Sequence, residues 1–300
     1  MAIDILAAFE NEPPELDFIF NGFLAGTVGA LVAPGASGKS YWSLQAAMGI
    51  ACAVAGGDLL SLNPVTKGQV VYLAGEDPEI ILNRRIHAIG SHLNKNERAS
   101  IASNLIIEPL MGRRLDVMND REVNNIVAAC AGSRLIIIDT LSRVHQLNEM
   151  DNGDMSRVIS QFEYIAVNTG ASVLYLHHVA KGTATTGTGD QQQAARGASA
   201  LIDNARWCGF VQKMTKEEAS KLSERSGFSK KTAIGADNRK QYVKFGVSKQ
   251  NYGEHTVDKW FKHVERGVLL PVEITEITEW KKEDNSTSKT GGRKREEATY

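Results

Sequence analysis

Residues 31–40 read "LVAPGASGKS", and the reading of that stretch decides the fold. A phosphate-gripping loop has the form G-x-x-x-x-G-K-[ST]; successive backbone N–H groups and the N-terminus of the following helix surround the phosphate oxygens. Its second half is intact here at Gly38, Lys39 and Ser40, while Ala33 occupies the first glycine position. Gly35 and Gly38 are expected to supply the tight backbone turn, and alanine at 33 fits if its φ is negative. The bland alternative is a surface turn. Context favours the loop: the apolar run "GTVGALVA" (26–33) precedes it, and a helix-prone stretch from Lys39 to Val54 follows. Strand, loop and helix in that order are what the motif needs.

Working outward, "GQVVYLAGE" (68–76), "NLIIEPL" (104–110), "RLIIIDT" (134–140) and "ASVLYLHH" (171–178) read as further strands. The last two are apolar throughout rather than alternating, as parallel strands covered on both faces are. Helical stretches separate them, including one over roughly residues 154–168. The pattern predicts an α/β core with a largely parallel sheet flanked by helices, and ligands at the carboxyl ends of its strands.

Those strand ends carry chemistry. Lys39 is placed to reach the β and γ phosphates of a nucleotide, and Ser40 to hold Mg²⁺. Asp139 ends its strand where it can hold Mg²⁺ through water, with Thr140 beside it; an ordinary strand-capping aspartate is the alternative. Glu76 comes directly off an apolar run and is the candidate for orienting the attacking water. Asp77-Pro78 reads as a helix cap and first helical position. His177 and His178 point to opposite sides of an extended segment, so only one of them can sense a γ-phosphate. Zinc is disfavoured, because no cysteine or acidic ligand lies at a suitable spacing.

The rest of the chain bounds the setting. A net charge of −1 advertises no nucleic acid, but basic groups lining a channel leave total charge almost unchanged. Cys52, Cys130 and Cys208 are odd in number and scattered, which predicts reduced cytoplasmic core thiols. No signal peptide or bilayer-length apolar run is read, so no membrane partner is expected. Residues 1–24 read as an arm broken by Pro13-Pro14, 25–275 as the core, and 276–300 as a flexible polar tail.

Together, "TVGALVAPGASGKS", "VVYLAGEDP", "RLIIIDTLSRVH", "VLYLHHVAKG", "GDQQQAARGASALIDNARW" and "VKFGVSKQNYG" resemble the RecA/DnaB-like family of ring-forming motor ATPases, over about residues 3–272. The resemblance implies a P-loop core with ATP and Mg²⁺ as cofactors and a homohexameric ring with ATP between subunits. It also implies single-stranded DNA in the central channel, 5′ to 3′ movement, an arm packing on a neighbouring subunit, and replication-initiation proteins as partners.

By the same resemblance, the nucleotide lies on Pro34, Gly35, Ala36, Ser37, Gly38, Lys39, Ser40 and Tyr41. Glu76 matches the catalytic glutamate, Asp139 the magnesium-associated aspartate, and His178 the sensor histidine. Arg85 resembles an arginine against the base, and Arg206 matches a finger presented to the neighbour's ATP. Many relatives carry a K-x-R pair near the chain's end; here Lys249 is followed by Asn251 in place of the arginine. Ala33 is the other departure.

The loop from Lys181 to Arg196 is the DNA candidate. Glycine and threonine supply mobility and hydroxyls, the two end cations can meet phosphates, and the absence of aromatics argues for tracking the backbone. Two other functions remain open: a DNA-binding module that uses ATP as an assembly switch without unwinding, and a metabolic kinase. The kinase lacks convincing acceptor-pocket residues.

Overall fold

The computed structural model describes residues 2–20, 22–179, 200–224, 232–253 and 257–277. After an exposed helix α1 (Ile5–Glu10), a short hairpin of β1 (Phe18–Phe20) and β2 (Phe23–Leu24) leads into β3 (Val28–Pro34), the phosphate loop and α2 (Lys39–Ala51). Then come β4 (Val70–Ala74), α3 (Glu79–Gly90), α4 (Lys95–Asn104), β5 (Leu105–Pro109), α5 (Asp120–Cys130), β6 (Leu135–Asp139), α6 (Asn152–Thr169) and β7 (Ser172–Val179). Past a short helix at Ala200–Asn204, the chain forms β8 (Trp207–Lys213), β9 (Leu222–Glu224), β10 (Tyr242–Gln250), β11 (Lys259–His263), β12 (Leu269–Pro271) and β13 (Ile274–Glu276).

Nine strands make the main sheet, in the order β12-β11-β10-β8-β3-β7-β6-β4-β5. From β8 to β5 every pairing is parallel. From β8 to β12 every pairing is antiparallel. The core is therefore the expected α/β sheet, with an antiparallel extension on one side. β3 shows why its sequence is apolar at every position: Leu31 and Ala33 pack with α2 and the α3–α4 side, while Ala30 and Val32 pack with α5 and α6. Helix α2 is buried almost all round, as a helix without a polar face must be. It ends at Ala51, short of Val54, where Cys52 turns extended. Helix α6 is bounded by Asp151, whose side chain accepts from the Asp154 N–H, and by Gly170 in the left-handed conformation.

The segment 1–24 is not one arm. Helix α1 buries none of its residues, and Ile5, Leu6 and Phe9 face solvent. In contrast, Ile19, Phe20 and Phe23 are buried in the core. Phe20 meets Trp42 and Trp207 edge-on, and Phe23 stacks on Trp207. At the other end, β13 pairs with β9, and 278–300 lie outside the described residues. The three cysteines are free and buried, and burial pushes the Cys130 and Cys208 thiols up to about 11. Among the described residues no helix is long and apolar enough to cross a membrane.

Candidate functional site

The carboxyl ends of β3, β4 and β7 converge on a cleft of about 350 Å³ lined by Lys39, Ser40, Glu76, Asp77, Arg85 and His178, with Asp139 at the end of β6 acting on Lys39. The phosphate loop differs from expectation in where it bends. Ala33 lies inside β3 and has no positive φ, so the missing first glycine falls in ordinary extended backbone. The left-handed positions are Ala36, at φ 57°, and Gly38, at φ 93°. Gly35 needs no glycine by this geometry: its φ is not positive, and a Cβ there would meet nothing within 4 Å. Gly38 does, because its φ is left-handed and the His263 ring lies 3.2 Å from where a Cβ would sit.

Lys39 is buried, and its Nζ donates to Thr140 Oγ1 at 3.5 Å. Burial holds its pKa below the usual lysine value, opposed by the Asp139 and Glu76 carboxylates. Asp139 is buried too, and burial raises its pKa against the pull of Lys39, Tyr72 and Ser40. One carboxylate oxygen, Oδ2, accepts from the Tyr72 hydroxyl at 2.6 Å. The other, Oδ1, is buried without a hydrogen bond. A carboxylate with an orphaned oxygen, beside the Ser40 hydroxyl that acts on the same group, is a donor set that suits a hard divalent cation such as Mg²⁺.

Glu76 Oε1 lies 2.7 Å from His178 Nε2. That hydrogen bond, helped by the Lys39 charge, holds the Glu76 carboxyl below the usual carboxylate range. His177 points the other way: it is buried, 3.6 Å from a Glu149 carboxylate oxygen, with its pKa pushed down to about 4 by burial. Asp77 is not a helix cap. Pro78 occupies that position and α3 starts at Glu79, while Asp77 forms a 2.5 Å ion pair with Arg85. The Arg85 guanidinium stands 5.2 Å from the centre of the Tyr41 ring, and these two residues continue into a second hollow beside Asn83 and Arg266.

Two site candidates fall elsewhere. Arg206 is exposed and precedes β8, and its backbone N–H donates to Val28 O at the start of β3. It therefore sits at the opposite end of the sheet from its own phosphate loop. Lys249 lies near the same end, paired in register with Cys208, and donates to the carbonyls of Ile202 and Asp203. Lys181 and Arg196 lie outside the described residues.

Sequence reasoning missed four residues of this site. Tyr72 steadies Asp139 and is itself bonded to Ser43, with the hydroxyls 2.8 Å apart; the available signal was a tyrosine amid aliphatics in a buried strand, whose hydroxyl must find a partner. Lys213, Lys240 and His263 also line the cleft. Nothing local in their sequence marks them.

The chain belongs to the AAA domain family, whose match spans residues 3–184. Among solved structures, its fold is similar to one described as an ATPase domain, with a TM-score of 0.54 and 12% identity over 90% of this chain and 96% of that one. It is likewise similar to a structure titled "The Structure Of A DnaB-Like Replicative Helicase And Its Interactions With Primase", with a TM-score of 0.56 and 13% identity over 90% of this chain and 68% of that one. At these identities the likeness is one of fold.

Proposed function

We propose that this chain is an ATP-driven DNA helicase subunit of the plasmid RepA type, working in a ring on single-stranded DNA and moving 5′ to 3′. The observation that carries the reading is the convergence of Lys39, Ser40, Glu76 and His178 on one cleft, with Asp139 buried beside it against Lys39 and Ser40. Backbone N–H groups of the phosphate loop and Lys39 bind the β and γ phosphates. Ser40 and Asp139 would hold Mg²⁺, which supplies charge neutralisation at those phosphates. Glu76 accepts a hydrogen bond from the attacking water and aligns it with the γ-phosphorus, as the bond to the bridging oxygen breaks. His178 holds Glu76 and faces the same opening, so it can exchange that partner for a γ-phosphate oxygen. Residues 180–199 follow directly, and Lys181 and Arg196 are assigned to DNA phosphates.

Arg206 is assigned to a neighbour's ATP. Its position at the far end of the sheet supports that assignment, because it cannot reach its own phosphate loop. A guanidinium offered across an interface makes hydrolysis depend on assembly. The test mixes two inactive proteins. Arg206→Ala and Lys39→Ala subunits should each fail alone and regain turnover when combined, because some mixed interfaces pair an intact Lys39 with an intact Arg206. No recovery in verified mixed oligomers would remove Arg206 from the site. Turnover without separation of a duplex carrying a 5′ single-stranded tail would favour the ATP-switched DNA-binding module.

A further inference from the structure

We infer that Lys213 and Lys240 form a second phosphate-binding wall, supplied by the same subunit, that grips the polyphosphate of a nucleoside di- or triphosphate from the side opposite Glu76. The inference rests on the nucleotide-site reading above and adds to it two binding residues outside the phosphate-loop motif.

Placement comes first. Strand β8 runs parallel to β3 with Val32 opposite Phe210, so Lys213 at its carboxyl end comes level with the loop that β3 enters. Lys240 lies in the short turn Arg239–Gln241 that leads into β10, and β10 pairs with β8 through Val243 and Lys213. Both side chains line the cleft that holds Lys39. This side is also seated on the loop. The His263 ring of β11 lies against Gly38, and its Nδ1 is fixed 3.1 Å from Gly267 O.

Charge is the second observation. The acidic groups that line the cleft already have partners: Asp77 has Arg85, and Glu76 has His178. Lys213 and Lys240 form no ion pair among the described residues. Their neighbours on the same sheet do: Lys244 meets Glu218 and Asp258, and Lys262 meets Glu224. Two uncompensated ammonium groups beside a third cation raise the potential in a walled cleft. A polyanion relieves it, and compact ammonium charges on flexible stems follow phosphate oxygens without a fixed fork geometry.

The full-length chain is titrated calorimetrically with ADP and with a slowly hydrolysed ATP analogue, across a range of salt concentrations. Lys213→Ala/Lys240→Ala should weaken both nucleotides by about ten- to a hundredfold and flatten the salt dependence. Lys213→Arg/Lys240→Arg should recover most of the affinity, which a merely structural role would not. Single Lys→Gln variants, with unfolding midpoints checked, serve if the double variant is unstable. Wild-type affinity in the double variant, alongside loss of binding in Lys39→Ala, would overturn the second wall and leave the nucleotide site standing. No nucleotide binding by the unaltered protein would overturn both.

Discussion

The two sides of β3 differ in chemistry as much as in strand direction. On the parallel side, His178, Asp139 and Glu76 stand at or just past the ends of β7, β6 and β4; Asp139 and Glu76 act on Lys39, and Glu76 is bonded to His178. On the antiparallel side, Lys213, Lys240 and His263 line the cleft with no carboxylate among them. On the proposed reading, Lys39 and Asp139, which meet phosphate and metal, are buried, whereas Glu76 is half-buried against an exposed His178. Groups that only neutralise phosphate charge can remain solvated and mobile. The contrast predicts that parallel-side substitutions act mainly on turnover, while antiparallel-side substitutions act on affinity.

The strongest way to break that division is Lys39→Ala, which removes the central cation. Turnover should fall by about a thousandfold or more, with the far-ultraviolet circular dichroism unchanged. Glu76→Gln should follow, with a loss of about a hundred- to ten-thousandfold in turnover while Mg-nucleotide binding persists. Joint loss of binding and turnover in that variant would make Glu76 a structural or metal-holding group rather than the water-orienting one.

A third prediction concerns pH. His177 has its pKa depressed to about 4 from the ordinary 6.5. Below pH 6.5 the unfolded chain takes up a proton that the buried ring refuses. Stability is therefore fully present above 6.5 and falls as pH drops towards 4, by up to about 3 kcal/mol. Denaturant midpoints should show a shallower fall over that window in His177→Gln. An unchanged slope would mean that His177 is not buried as a neutral ring. The smallest effect is Tyr72→Phe, which leaves Asp139 Oδ2 without its donor. It should cost about 1 kcal/mol of stability and raise the magnesium concentration needed for half-maximal turnover. An unchanged magnesium curve would show that Tyr72 serves only the fold.

The parallel side was open to sequence reading because each of its groups stands at the end of a continuous apolar run. "RLIIIDT" and "VVYLAGE" carry both the strand and the polar residue that closes it, so element and site are contiguous. An aspartate before a proline looks like a helix cap, whereas Arg85, two turns along α3, draws the Asp77 carboxylate away. The left-handed turns of the loop fall at Ala36 and Gly38 rather than at Gly35. The motif spacing identifies the loop but not which of its residues turns left-handed. Pro13-Pro14 suggests a break that puts the hairpin Phe18–Leu24 with the arm, whereas Phe20 and Phe23 find aromatic partners in α2 and β8, through Trp42 and Trp207.

By itself the sequence determined the parallel α/β core, the phosphate loop and the residues at four strand ends, because hydrophobic period and motif spacing are local properties. Only the tertiary structure decided which histidine faces Glu76, that Tyr72 steadies Asp139, and that Arg206 stands away from its own loop. It alone also brought Lys213, Lys240 and His263 from a distant antiparallel extension onto Gly38 and Lys39. Strand order sets those meetings, and strand order arises from pairing between segments far apart in the chain, which no local pattern encodes.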